Sequence, residues 1–177
     1  MKILLLTPLF PPDTGDPAPY VKELAKRLRT HETTILMYGR LPESVAGVTM
    51  VTVDKRQWLP KRLLHYTAIL FKHAKDKDLV IINNAPSTEL PALLVSFFSS
   101  KNLLLCESDA LATTAALSGF YKIIHHLLKR RCSKTITLPE SELYKKSEVL
   151  PFQATDEHRA EAHEAWWTNH LQELTTI

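Results

Sequence analysis

The sequence has few cysteines, no cluster of one charge and no internal repeat. Its 177 residues include two cysteines, Cys106 and Cys132, whose number and spacing match neither a metal-binding motif nor a disulfide framework. Both are predicted to be free thiols in a reducing compartment. Lysine and arginine are not gathered into one long run, and the net charge is only +3. A nucleic-acid partner is therefore not predicted.

Long apolar runs are also lacking. No stretch reaches the roughly 20 apolar residues that a membrane-spanning helix requires. Only four apolar residues separate Met1-Lys2 from Thr7-Pro8, which is too short for the hydrophobic region of a signal peptide. We expect a cytoplasmic protein, with a peripheral position at the inner membrane surface as an open alternative. The hydrophobic content of 45% is sufficient for the core of one domain.

Short apolar segments alternate with amphipathic ones along the chain. Continuous apolar runs are typical of buried parallel strands, and we predict strands at 3–6, 33–38, 48–53, 79–83, 103–106, 135–138 and 148–150. Helices are predicted from residue 19 and at 60–75, 88–98, 113–131, 140–146 and 155–174. This alternation indicates an α/β fold with a doubly wound, mostly parallel sheet and helices on both faces.

In such sheets ligands bind beyond the carboxyl ends of the strands. The first loop with this position contains Gly15 and Asp16, which we take as candidate ligand-binding residues. The alternative is a rigid turn in which Asp13 or Asp16 caps the following helix.

Two further strand ends carry polar side chains. Asn83 and Asn84 are candidate ligands for a sugar hydroxyl, or else close a turn with their side chains. Glu107, Ser108 and Asp109 follow the fifth strand. The two carboxylates could form a pair in a cleft, in which like charge raises one pKa, with Ser108 as a ligand-binding neighbour. The alternative is a solvated loop that caps the next helix.

The segment 55–75 combines basic, aromatic and aliphatic residues. A helix of this kind can lie on an anionic membrane, and the candidate membrane or partner contacts are Trp58, Lys61, Arg62 and Phe71. The alternative is a surface helix whose apolar side packs on the sheet.

Two pairs of adjacent residues, His125-His126 and Trp166-Trp167, give weaker evidence of a functional site. Adjacent residues point to different sides of a helix, so no joint metal site is predicted for His125 and His126, and no metal or cofactor is predicted elsewhere. We expect Trp166 and Trp167 to hold the last helix on the domain rather than to stack on a sugar.

Six segments together resemble one family. They are "MKILLLTPLFPPDTGDPAPYVKELAKRL", "HETTILMYG", "DLVIINNA", "KNLLLCESD", "RRCSKTITLPESE" and "SEVLPF". In this order and spacing they resemble the first, acceptor-side domain of family-4-type glycosyltransferases of the GT-B fold. The resemblance covers about residues 1–152 and implies that residues 153–177 are the family's closing helix, which packs back on that domain.

Three departures from the family follow from the same residues. The second domain, which carries an E-x7-E motif and most contacts to the nucleotide sugar, has no counterpart in the sequence. A double glycine of the family is replaced by Gly15-Asp16, which puts a carboxylate where bare backbone would approach a diphosphate. The position of the family's active-site histidine holds Glu107, so Glu107 and Asp109 become the candidate catalytic residues.

The resemblance therefore implies a domain that needs a partner. The first interpretation is one subunit of a split hexosyltransferase that acts on a glycan or a lipid-linked acceptor, with a second subunit supplying the nucleotide-sugar domain. The second is a non-catalytic relic that serves as a binding or regulatory module, as a homo-oligomer or with a related enzyme. Transferase activity of the chain alone is not expected.

Overall fold

The computed structural model describes residues 1–15, 17–98, 101–138 and 157–176. The chain divides into two compact units, residues 1–137 and residues 138–177. The predicted helix at 140–146 and the predicted strand at 148–150 lie outside the described residues.

The first unit is built on one sheet of six parallel strands. They are β1 (Lys2–Thr7), β2 (Glu32–Tyr38), β3 (Val48–Val53), β4 (Leu79–Asn83), β5 (Asn102–Glu107) and β6 (Lys134–Thr137). Their order across the sheet is β3-β2-β1-β4-β5-β6, and every neighbouring pair is parallel. This confirms the predicted doubly wound α/β fold, in which two halves wind outward from the centre of the sheet.

Helices connect the strands. The first unit contains α1 (Ala18–Arg27), a 3-10 turn (Leu28–Thr30), α2 (Leu59–Ala74), α3 (Pro86–Ser96), α4 (Ala110–Ala115) and α5 (Gly119–Arg131). The second unit contains α6 (Glu157–Thr175). None of the described helices combines the length and apolar character needed to cross a membrane.

Both faces of the sheet are covered, because alternate residues of a strand point to opposite faces. Leu4 and Leu6 of β1 belong to a buried cluster with Tyr66 of α2, Leu93 of α3 and Ile124 of α5. On the other face, the hydroxyl of Tyr20 in α1 lies 3.4 Å from Sγ of Cys106 in β5. Helices α2, α3 and α5 therefore pack together on one face, and α1 packs on the other.

Both cysteines are free thiols, as the sequence predicted. Cys106 is buried, whereas Cys132 is half-buried just beyond α5. Desolvation by burial raises the pKa of the Cys132 thiol to about 12.

The predicted helix at 113–131 is wrong in its bounds. Two helices, α4 and α5, occupy this region, and Gly119 at the start of α5 has a φ of +63°. Such a conformation favours glycine and interrupts a right-handed helix. The hydrophobic pattern does not reveal the break, because apolar residues continue through Leu117 and Phe120.

Candidate functional site

The carboxyl ends of β1 and β4 lie side by side at the centre of the sheet. Leu6 is paired with Ile82, and the chain leaves the two strands at Thr7 and Asn83. The strand order runs outward from here in both directions, through β2 and β3 on one side and β5 and β6 on the other. Ligands of doubly wound folds bind in the crevice at this reversal.

The loop after β1 has a defined shape. The hydroxyl of Thr7 donates to the carbonyl of Leu9 at 2.6 Å, and the amide of Asp13 donates to the carbonyl of Phe10 at 3.0 Å. The Pro11–Pro12 peptide bond is cis, and Gly15 has a φ of +112°. A side chain at position 15 would be strained in that conformation, so the loop depends on its single glycine.

Two neighbouring segments hold this loop. Nζ of Lys55, just after β3, lies 2.5 Å from Oδ1 of Asp13. The amide of Glu43 donates to the carbonyl of Pro11 at 2.9 Å. Asp13 therefore pairs with a cation and does not cap α1, whose N-cap residue is Pro17, so the cap predicted for Asp13 is wrong. Asp16 lies outside the described residues, and its role and that of Gly15 in ligand binding stay predictions.

Asn83 and Asn84 are fully buried at the end of β4. The side-chain amide of Asn83 donates to the carbonyl of Leu6 at 2.9 Å, and its oxygen accepts from the Ser108 hydroxyl at 2.9 Å. Oδ1 of Asn84 accepts from the amides of Ser108 and Asp109, both at 2.8 Å. The two asparagines thus join β1, β4 and the turn after β5, as in the turn-closing alternative. Contact of either with a sugar stays a prediction.

Asp109 is the N-cap of α4. Its Oδ1 accepts from the amide of Ala112 at 3.0 Å, and its carbonyl accepts from Nδ2 of Asn84 at 3.0 Å. The capping alternative is therefore confirmed for this residue, but the predicted solvated loop is wrong, because Glu107 and Ser108 are buried.

Glu107 ends β5, and its side chain is almost fully buried. Oε1 accepts from Nε2 of His125 at 3.1 Å and from Nζ of Lys129 at 3.0 Å. Oε2 accepts from the hydroxyl of Thr137 at the end of β6. Both oxygens of this carboxylate are therefore occupied by protein donors.

His125 joins Glu107 to a second carboxylate. Nδ1 of His125 lies 3.0 Å from Oε2 of Glu89 in α3, and the hydroxyl of Tyr121 donates to Oε1 of Glu89 at 2.5 Å. Each ring nitrogen of His125 thus faces a carboxylate oxygen, an arrangement that favours the doubly protonated, cationic imidazole. We call the five side chains Glu89, Glu107, Tyr121, His125 and Lys129 the charge network.

The network shifts the pKa values of its members. The hydrogen bond from His125, helped by Thr137 and Lys129, lowers the pKa of Glu107 to about 2 in spite of burial. The hydrogen bond to Glu107, followed by that to Glu89, raises the pKa of His125 to about 9. The sequence suggested a carboxylate pair in which like charge raises one of the two pKa values; for Glu107 the pKa is instead lowered, because cationic and hydroxyl donors surround this carboxylate. Whether Glu107 or Asp109 takes part in catalysis stays a prediction.

The sequence interpretation missed four members of this network. Tyr121, His125 and Lys129 are spaced by four residues, so they share one side of α5. That spacing could have indicated a polar side facing inward. His126, next to His125, is exposed, which confirms that the two histidines lie on different sides of the helix. No group of three or more metal-ligating side chains occurs within the described residues.

The candidate membrane contacts lie at and along α2. Trp58 is 76% exposed at the N-cap, and Lys61 is exposed in the first turn. Arg62 instead lies over the ring of Tyr38, 5.3 Å from its centroid, and donates to the carbonyl of Lys55. Phe71 is 39% exposed further along the helix. Three of the four side chains are thus accessible, while Arg62 is held against the domain.

Within α6, aromatic rings contact one another along the helix. Trp166 stacks on His170 with centroids 4.7 Å apart, and Nε1 of Trp167 donates to Nε2 of His163 at 3.0 Å. The predicted packing of α6 back on the domain stays a prediction.

Comparison with known proteins places the fold but no narrower family. No family model and no curated protein sequence matches the chain. Among solved structures, the chain is similar to a Listeria monocytogenes protein assigned as a UDP-N-acetylglucosamine 2-epimerase. The TM-score is 0.50 at 13% identity, over 77% of this chain and 38% of the other. The chain spans about two fifths of that protein's length. The Rossmann-like fold of the present chain corresponds to one half of a GT-B fold.

Proposed function

We propose that this chain is the acceptor-side half of a sugar transferase that works with a separate donor-binding polypeptide. Its acceptor would be a glycan or a lipid-linked sugar. The observation that carries the proposal is the all-parallel sheet of a GT-B half, with the glycine-dependent loop 8–17 at the reversal of strand order. The first four family-like segments contain β1, β2, β4 and β5 of this sheet, and the fifth contains β6.

The charge network supports separate roles for two polypeptides, with the acceptor bound by this chain and the sugar donor bound by its partner. At neutral pH His125 is protonated, and both oxygens of Glu107 are bonded within the protein. Neither group is therefore free to accept a proton from an acceptor hydroxyl. In the proposed enzyme this domain positions the acceptor, and the partner stabilises the departing diphosphate.

One observation favours the second candidate, a binding or regulatory module without catalysis. The polar groups at the ends of β4 and β5 bond to the protein itself, through Asn83, Asn84, Ser108 and Glu107. A module of this kind needs no reactive group at the sheet edge. The two candidates differ in whether a partner restores sugar transfer.

Two measurements test the proposal. Calorimetry of the isolated chain with UDP-N-acetylglucosamine or UDP-glucose as probes should show no binding, and micromolar affinity would overturn it. Crosslinking and affinity purification from the native cell should then recover a donor-binding polypeptide that restores hexose transfer. Recovery of partners that never support transfer would favour the regulatory module.

A variant of the loop after β1 tests whether this loop is needed for the restored sugar transfer. Gly15→Val should abolish restored transfer, because the loop requires a positive φ at this position. Gly39→Val is the matched control, since Gly39 has no positive φ and no atom lies within 4 Å of the place where its Cβ would be. Equal activity of the two variants would exclude loop 8–17 from the site.

A further inference from the structure

The outward side of the helical layer formed by α2, α3 and α5 exposes many large apolar side chains. These helices share one core cluster on one face of the sheet, so their outward sides form one surface. We call this surface the α2-α3-α5 surface and define it by the exposed residues Leu64, Phe71, Phe97, Phe98, Phe120 and Ile123. Phe98 and Phe120 are 79% and 72% exposed, respectively. Scattered apolar residues are ordinary on protein surfaces, but repeated aromatic exposure in one layer indicates a contact surface.

The exposed charges on the helices of this layer are positive. Within α2, α3, α4 and α5 the only acidic residue is Glu89, which is fully buried in the charge network. Exposed cations on these helices are Lys61, Lys72, Lys122, Lys129, Arg130 and Arg131. Just after α2, Lys75 is exposed together with Asp76 and Asp78. The layer therefore presents cations and apolar groups to solvent without a compensating exposed carboxylate on these helices.

The opposite face of the sheet has a different pattern. Glu23 of α1 pairs with Lys26 at 3.1 Å and with Arg27 at 3.0 Å, and Lys22 pairs with Glu43. Over the described residues, Lys61, Lys72, Lys122 and Arg130 have no such carboxylate partner. Although the net charge is only +3, the unpaired positive charges are concentrated on the side of the sheet that carries α2, α3 and α5.

Aromatic rings and cations are interleaved on this surface. The rings of Phe71 and Phe98 meet edge to face with centroids 6.4 Å apart, which joins α2 to the end of α3. Nζ of Lys75 lies 4.8 Å from the centroid of Phe71, and the guanidinium of Arg131 lies 5.0 Å from that of Phe97. In this arrangement rings can enter a lipid interface while the cations remain at headgroup level.

We propose that the α2-α3-α5 surface docks on a membrane that contains anionic lipids. Acidic headgroups complement its cations, and the aromatic and aliphatic side chains enter the boundary of the acyl chains. A two-fold interface between copies of this chain would bring the same cations against one another, so the charge pattern favours lipid over self-association. The proposal does not depend on sugar transfer, and it extends beyond α2 to α3 and α5.

Vesicle co-sedimentation tests this surface with the full chain. Vesicles of phosphatidylcholine with 30% phosphatidylglycerol should bind the protein at least tenfold more tightly than pure phosphatidylcholine, and 0.5 M NaCl should weaken that binding. Equal binding to both vesicles, or none to either, would overturn the proposal. A dimer in analytical ultracentrifugation together with no vesicle binding would favour a second copy as the occupant.

Paired variants separate docking from loss of folding. Lys122→Glu with Arg130→Glu should weaken binding at least tenfold, and so should Phe98→Ser with Phe120→Ser. The matched control is Lys26→Glu with Arg29→Glu on the α1 side, with the exposed apolar control Leu41→Ser. All variants should keep the parent circular dichroism spectrum. Equal loss in the control and surface variants, or no loss in either, would overturn the proposal.

Discussion

The imidazole of His125 lies between two carboxylates, with its Nε2 3.1 Å from Oε1 of Glu107. Its Nδ1 meets Glu89 on the neighbouring helix at 3.0 Å. The side chain therefore ties α5 to both β5 and α3 from one ring. Because the ring acts as a double donor, the strength of this connection depends on its protonation.

The first prediction concerns stability against pH. The pKa of His125 is raised from 6.5 to about 9, so its stabilisation is complete below pH 6.5 and is lost as pH rises through 9. The pKa of Glu107 is lowered from 4.5 to about 2, so its stabilisation is present above pH 4.5 and is lost as pH falls through 2. Urea unfolding across pH should show this contribution at its maximum between pH 4.5 and 6.5.

The second prediction isolates the histidine. His125→Gln should lower the free energy of unfolding by about 3 kcal/mol at pH 6, because it leaves two buried carboxylates with one cation fewer. The difference from the parent protein should shrink as pH rises through 9. His126→Gln is the matched control on the exposed side of α5 and should change stability by less than about 0.5 kcal/mol. Similar losses in both variants at every pH would contradict the role of the network.

The third prediction compares two N-caps. Asp109 accepts a hydrogen bond from the amide of Ala112, whereas Ser118, the N-cap of α5, makes no side-chain capping bond. Asp109→Ala should therefore cost about 1 kcal/mol of stability, measured by urea unfolding, and Ser118→Ala close to nothing. A larger loss in the Ser118 variant would contradict this assignment.

The strands could be predicted from the sequence because a buried strand is recognisable as a run of apolar residues. A strand covered on both faces is apolar at most positions, and Ile3–Leu6 and Leu79–Ile82 are of this type. The hydrophobic pattern does not show the break between α4 and α5, because Leu117 and Phe120 are apolar although exposed. Ser118 and Gly119, next to each other at the start of α5, were the local signals for it.

The charge network could not be derived from local patterns. Glu89 lies 18 residues before Glu107, and His125 lies 18 residues after it, on a different helix. Only the packing of α3 and α5 on the same face of the sheet brings them together. Sequence reasoning placed Glu107 correctly at a strand end, but it considered only a neighbouring carboxylate and not the cations of α5 that lower the pKa of Glu107.

The fourth prediction concerns the buried amide of Asn84. This side chain bonds two amides of the turn after β5, the carbonyl of Asp109 and the hydroxyl of Thr113. Asn84→Ala should cost about 2–3 kcal/mol in urea unfolding, because buried partners lose their hydrogen bonds. Asn102→Ala is the control at an exposed position and should cost less than about 1 kcal/mol. Equal costs would show that the turn does not depend on Asn84.

The fifth prediction separates backbone strain from packing. Gly119 has a φ of +63°, and nothing lies within 4 Å of the place where a Cβ would be. Gly119→Ala should therefore cost about 1 kcal/mol through the backbone alone. Gly39 has equally open surroundings without a positive φ, so Gly39→Ala should be neutral or stabilise the protein by a few tenths of a kcal/mol. Thermal unfolding of both variants measures this difference: the melting temperature should fall for Gly119→Ala and not for Gly39→Ala. Equal shifts would mean that α5 can begin without a residue in the left-handed conformation.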